Sequence, residues 1–243
     1  MSILAPMSLA SALSGLQVTI DRWLAEADHV RPRVLDAGCG GQMYLALGED
    51  IHIVGIDIDS KQLERNKTIH ERILGDIQTF PLEPESFDLI ICWDVLEHMR
   101  RPGLALENLR RATRTGGLLI IASPNVLSFK GLITKFTPYW FHLLYYRVHS
   151  AGFRGLIRRP IGGRPFKTFM RWTMSSDAVA SWARQSSLVT EYLALYENPM
   201  QIGFRRQFGL TGKAWSTARG VVHALTRKRL DLESTDYIVA LRR

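Results

Sequence analysis

Three carboxylates stand at the ends of three short apolar runs: Asp36 after Val34-Leu35, Asp57 near the end of Ile51 to Ile58, and Asp76 after Ile73-Leu74. A carboxylate in that position can accept hydrogen bonds from a diol, an amino group or an ammonium ion, and charge-assisted bonds are the stronger kind. Asp36 also opens the string Asp36-Ala37-Gly38-Cys39-Gly40-Gly41-Gln42. Glycines after a strand permit a tight turn and close approach of a ligand to the backbone. Two kinds of nucleotide ligand compete for such a turn. A dinucleotide needs Gly or Ala at the last position of G-x-G-x-x-G, and counting from Gly38 that position is Met43. Asp36 would repel a pyrophosphate but suits a ligand carrying an ammonium group. Asp57, 21 residues after Asp36, suits a ribose diol in either case. Asp76, in Gly75-Asp76-Ile77, can accept from an adenine amino group with Ile77 against the ring.

The elements that must hold these residues alternate between strand and helix. Residues 8–29 carry Leu9, Leu13, Leu16, Ile20, Trp23 and Leu24 near helical spacing. Strands are expected at Val34-Leu35, Ile51 to Ile58, Ile73-Leu74, Phe87 to Cys92 and Leu118 to Ala122. Helices are expected over 60–70, with Ser60 as N-cap, and over 102–114. The strand runs are continuously apolar, so both faces of the sheet are covered and the sheet is mainly parallel. Two further strands, Leu188 to Tyr196 and Tyr237 to Leu241, suit an antiparallel pair at one sheet edge.

The strings VLDAGCG, IVGIDID, LGDIQTFP, FDLIICWDVLEH and GGLLIIASPN, from Val34 to Asn125, occur in an order and at separations that resemble the class I S-adenosylmethionine-dependent methyltransferases of the small-molecule type. That cofactor carries an α-amino group and a sulfonium, which agrees with the charge argument at Asp36. The resemblance implies an α/β, Rossmann-like, seven-stranded, mainly parallel sheet in the order 3-2-1-4-5-7-6, with strand 7 antiparallel, helices on both faces and a cap insertion after strand 5. It implies that Asp36, Gly38, Cys39 and Gly40 line the methionine part of S-adenosylmethionine. Asp57 and Ile58 are assigned to the ribose side, Asp76 and Ile77 to the adenine, and Trp93 and Asp94 to the wall beside the cofactor. Gln42 departs from the family, which often has a third glycine there.

The acceptor side is less defined. Methyl transfer to a hydroxyl can need a general base. His98, in Leu96-Glu97-His98, is the first candidate, and His142 and Tyr145, one helical turn apart, are the others. From Val126 to Ser176 there are nine Lys/Arg, eleven aromatics and no acid. Three readings of this stretch stay open: a surface touching an anionic membrane, from which a lipid acceptor is drawn; a pocket for a soluble anionic metabolite or sugar; or a nucleic-acid surface. The last is the least supported, because no RNA-binding module is recognisable and Ser123-Pro124-Asn125 is not the Asp/Asn-Pro-Pro-Tyr string of many base N-methyltransferases.

The 243 residues suit a single methyltransferase domain, with an N-terminal helical segment over 1–30, a basic aromatic cap over 126–176 and a basic insertion over 198–235 between strands 6 and 7. Residues 1–125 carry 12 Lys/Arg and 17 Asp/Glu, a net −5, and residues 126–243 carry 19 and 6, a net +13. This split favours an anionic partner for the second half. Within it, residues 211–229 could form a basic helix lying on a membrane. Cys39 and Cys92 form no metal-binding pattern, so no metal site is expected and a cytoplasmic setting fits. The N-terminus lacks the basic start of a signal peptide, and no apolar run reaches membrane-spanning length, which leaves a peripheral place at the inner membrane face open. The expected activity is methyl transfer to a small-molecule or lipid-like acceptor, at oxygen.

Overall fold

A computed structural model describes residues 7–26, 31–41, 45, 47–48, 50–138, 140, 166–207, 209–227, 230 and 232–243, with Phe204 described by its backbone alone. The strands are β1 (Met7–Ser8), β2 (Arg33–Ala37), β3 (His52–Asp57), β4 (Glu71–Leu74), β5 (Phe87–Trp93), β6 (Thr113–Pro124), β7 (Val189–Glu197) and β8 (Asp236–Arg242). The helices are α1 (Leu9–Glu26), α2 (Ser60–Arg65), α3 (Pro102–Ala112), α4 (Phe129–Phe136), α5 (Ser176–Gln185), α6 (Pro199–Gln207) and α7 (Gly212–Leu225).

The sheet runs β1-β7-β8-β6-β5-β2-β3-β4. From β7 to β4 this is the expected Rossmann-like order, and β8 is antiparallel to both its neighbours, β6 and β7. The count corrects the expectation: the sheet has eight strands among the described residues, not seven. Met7 and Ser8 pair in parallel with Tyr196 and Glu197, adding a two-residue edge strand just before α1. So short a strand leaves no alternation to read in the sequence.

All seven residues of β5 are buried, as a strand covered on both faces requires. Successive side chains alternate between the faces. Leu35, Ile56, Ile90, Cys92, Leu119 and Ile121 join the core that contains Leu106 and Leu109 of α3 and Val179 of α5. Val34, Ile53, Leu89, Ile91, Leu118 and Ile120 join the opposite core, with Leu16, Ile20 and Trp23 of α1 and Leu63 of α2.

Three helix boundaries in α2 and α3 differ from expectation. Asp59, not Ser60, is the N-cap of α2, and its carboxylate accepts from the amides of Lys61 and Gln62. α2 ends at Arg65, short of residue 70. Asn66 there turns its side chain to other work: Oδ1 accepts from Thr68 and Nδ2 donates to the carbonyls of Cys39 and Gly40. α3 ends at Ala112, and residues 113–114 already belong to β6.

Candidate active site

β2, β3, β4 and β5 are parallel and adjacent, so their C-terminal ends open on one edge of the sheet. Ligands of open α/β sheets bind at that edge, beyond the carboxyl ends of the strands. β2 runs into a turn whose Gly38 and Gly40 have φ of +77° and +49°, a region that L side chains rarely adopt. The amides of Gly38 and Cys39 both bond to the carbonyl of Ile56, which folds the turn against β3. A Cβ on Gly38 would lie 2.4 Å from Cγ2 of Val95, so the turn also packs too closely there for a side chain.

Asp57 ends β3 and is buried. Its Oδ2 accepts from the amide of Gly40 at 2.9 Å and its Oδ1 from the amide of Asp59 at 2.8 Å. A carboxylate has about four acceptor positions, so two remain for a ligand. Asp76 follows β4 and is held by Gln78, whose amide bonds Oδ1 at 2.9 Å and whose side-chain Nε2 lies 3.1 Å from each oxygen. Asp94 follows β5 with a φ of +52°, unusual for a residue with a side chain.

Around these groups lies a cavity of about 330 Å³, within the range of small-molecule sites. Gly38, Cys39, Gly40, Asp57 and Ile58 line it together with Asp76, Ile77, Trp93, Asp94 and His98. Asp36 is not in the wall. It sits behind the glycine turn, 5% exposed, and its Oδ2 is buried with no hydrogen-bond partner. Burial, and then the nearby charge of Asp57, pushes its carboxyl up to about 7. An acid with an unpartnered, buried oxygen behind a turn with no room for a side chain at Gly38 is what a ligand with an ammonium group needs: a counter-charge and access to the backbone. The residues present therefore fit S-adenosylmethionine. His142 and Tyr145 lie outside the described residues, as do Gln42 and Met43.

The part of the lining near His98 differs more from the sequence expectation. Leu96–His98 forms a single 3-10 turn that brings His98 to the cavity. His98 Nδ1 lies 3.2 Å from the carbonyl of Lys167. A carbonyl only accepts, so the neutral ring carries its proton on Nδ1 and keeps its lone pair on Nε2, which lies 3.7 Å from Oε1 of Glu97. Burial lowers the His98 pKa, which keeps the ring neutral. Phe166 also lines the cavity, its ring 5.9 Å from that of His98 and tilted by 53°.

Sequence reasoning missed Asn66, Gln62, Gln78, Met99 and Glu97. Asn66 is fully buried and braces the glycine turn. Gln62, Gln78 and Met99 line the cavity. Glu97 is buried, its backbone carbonyl accepts from Phe169 at 2.8 Å, and its Oε2 is unpartnered. Burial pushes the carboxyls of Glu97 and Asp94 upward together. Phe166 lies within the expected cap, but no spacing rule distinguished it from the ten other aromatics there.

Residues 28–143 match the family model described as a methyltransferase domain. A probable S-adenosylmethionine-dependent methyltransferase of Mycolicibacterium smegmatis is 27% identical over 112 residues, covering 44% of this chain and 44% of the relative. A ubiquinone biosynthesis O-methyltransferase of Paraburkholderia phymatum is 29% identical over 117 residues, covering 43% of this chain and 50% of the relative. These matches span half or less of the relatives' own length. A crystal structure of a SAM-dependent methyltransferase from Archaeoglobus fulgidus superposes with a TM-score of 0.54 over 95% of this chain and 94% of that chain; at 15% identity this likeness concerns the fold. Residues 28–143 thus form a methyltransferase domain similar to those of the S-adenosylmethionine-dependent methyltransferases, whose cofactor is S-adenosylmethionine.

Proposed function

We propose that the protein transfers a methyl group from S-adenosylmethionine to a hydroxyl oxygen of a small, lipid-like acceptor. The observation that carries this reading is one cavity lined by Asp57, Asp76 and His98, with an unpartnered, buried Oδ2 of Asp36 behind the glycine turn.

When bound, the cofactor supplies a methyl group already activated by the sulfonium. The chain has to align an acceptor with it and manage one proton. Asp36 faces the ammonium group through the glycine turn of Gly38, Cys39 and Gly40. Asp57 accepts from the ribose hydroxyls, with Ile58 beside them. Asp76 and Ile77 hold the adenine, and Trp93 and Asp94 close the wall. His98 Nε2 takes the hydroxyl proton, with the ring oriented by the carbonyl of Lys167. Phe166 gives the acceptor an apolar surface beside that base.

The relative named for ubiquinone biosynthesis is an O-methyltransferase, which supports oxygen as the acceptor atom and an apolar acceptor. Residues 126–176 are the acceptor cap, and their nine bases without an acid support an anionic membrane surface as partner. No helix among the described residues is long and apolar enough to cross a membrane. Two free, buried cysteines favour a reducing, cytoplasmic setting, with the protein peripheral at the inner face of the membrane. A soluble anionic metabolite or sugar is the second reading of the same bases. Mass spectrometry of lipids and metabolites from cells with and without the gene tests the assignment. A lipid gaining one methyl only when the gene is present supports it; the same gain on a water-soluble anion favours the second reading.

A further inference from the structure

Outside the cavity, large apolar side chains gather on one helix. Phe129, Ile133 and Phe136 recur at i, i+4 and i+7 and share one face of α4. They are 42%, 39% and 73% exposed. Trp172, half exposed, stands against Phe136 with ring centroids 6.4 Å apart. The helix is fixed from below. Ser128 caps it by accepting from the amide of Gly131, Lys130 reaches Asp236 at 3.2 Å, and Lys135 donates to the carbonyl of Met170 at 2.8 Å. With its orientation set by these bonds, α4 holds its apolar face outward, and grouped exposed apolar side chains mark a contact surface.

The charges beside this ridge select the contact. The Lys135 ammonium lies 4.5 Å over the Trp172 ring, and Lys167 and Arg171 flank the Phe169 ring. No acid occurs between residues 126 and 176 to balance them. Two copies of this chain meeting along the ridge would bring like charges together. An interface of anionic headgroups over acyl chains accepts both features, the rings at the boundary and the cations at the headgroups. α7, the basic helix read from the sequence, is less suited, because its Arg219 is paired with Glu233 at 2.7 Å.

One short stretch of chain joins the ridge to the cavity. Residues 166–172 carry Phe166 in the cavity wall at one end and Trp172 against α4 at the other. We infer that the ridge of Phe129, Ile133, Phe136 and Trp172 docks the protein on an anionic phospholipid bilayer, so that a lipid-like acceptor passes Phe166 into the cavity without crossing water. This inference rests on the lipid-like acceptor proposed above and names the element that reaches it.

The test uses the full chain and vesicles of phosphatidylcholine, with or without phosphatidylglycerol. The chain is expected to sediment with the anionic vesicles at low salt and to be released by salt. Phe136→Ser and Trp172→Ser are each expected to weaken this binding about tenfold, the scale of removing one large apolar contact. A polarity-sensitive dye on Phe136→Cys should shift to the blue with anionic vesicles; both native cysteines are buried, which directs the label to the new one. No sedimentation at low salt, binding untouched by both serine variants, or a dye shift produced by RNA or by raising the protein concentration without vesicles would each overturn the inference. Calorimetry with S-adenosylmethionine on the same samples separates the two claims. Vesicle binding without cofactor binding sinks the proposed reaction and leaves the surface standing, and the converse sinks the surface alone.

Discussion

The carboxylate of Asp57 accepts a hydrogen bond from the amide of Gly40 at 2.9 Å, so the acid that ends β3 also holds the glycine turn that follows β2. One side chain thus shapes the backbone that lines the cavity and offers its remaining lone pairs to the ligand. Removing it should act on both. Asp57→Ala is expected to weaken S-adenosylmethionine binding by ~1.5–3 kcal/mol, the scale of losing a hydrogen bond to a charged group. That is roughly 10- to 150-fold in calorimetry. Asp57→Asn keeps an acceptor oxygen for one amide and should lose less. Equal affinity in the native chain and the alanine variant would remove the ribose assignment.

Gly38 is constrained twice, by its φ of +77° and by the contact a Cβ would make 2.4 Å from Val95. Gly38→Ala should therefore lower thermal stability and abolish measurable cofactor binding. Adding Val95→Ala relieves the contact but not the backbone strain, so the double variant should recover stability only in part. Full recovery would show that φ does not matter at this turn.

Asp36 is pushed up to about 7 by burial and by Asp57, and an ammonium ligand binds better to its ionised form. Affinity for S-adenosylmethionine is expected to rise with pH by up to about tenfold per unit below 7 and to level off above it. Stability without ligand should move the other way. A carboxyl whose folded pKa is raised stabilises the fold below its unfolded pKa, near 4, and loses that contribution as pH rises through the folded value. Asp94 and Glu97, also raised, act in the same direction. Thermal melts at pH 5 and pH 8 should show a lower Tm at pH 8, and Asp36→Asn should reduce that difference and flatten the affinity profile. An affinity that falls with pH would contradict the role given to Asp36.

His98→Ala is expected to lower the methyl-transfer rate by about 10²- to 10⁴-fold, the usual contribution of a positioned base, while cofactor affinity changes little. His98→Gln keeps much of the shape but not the basic nitrogen and should be equally slow. A variant as fast as the native chain would move the base elsewhere, with His142 and Tyr145 next to be tested.

Much of the cofactor half was legible because the strands buried on both faces read as unbroken apolar runs, as in the seven buried residues of β5. The acids and glycines then fell at strand ends. Three things were not legible. β1 is two residues long and owes its place to pairing with Tyr196 and Glu197. Asp36 reads as a wall residue, yet it is buried and does not line the cavity. The buried state of Glu97 and the brace of Asn66 depend on long-range packing against residues 169 and 39–40, which no local pattern encodes.

Incubating the chain with S-adenosylmethionine labelled on its methyl group and a whole-cell extract, then partitioning the products, tests the central claim most directly. The account predicts label in the lipid-soluble fraction, reduced with Asp57→Ala and nearly lost with His98→Ala. Label confined to nucleic acid, or no transfer by a chain that binds the cofactor, would contradict it.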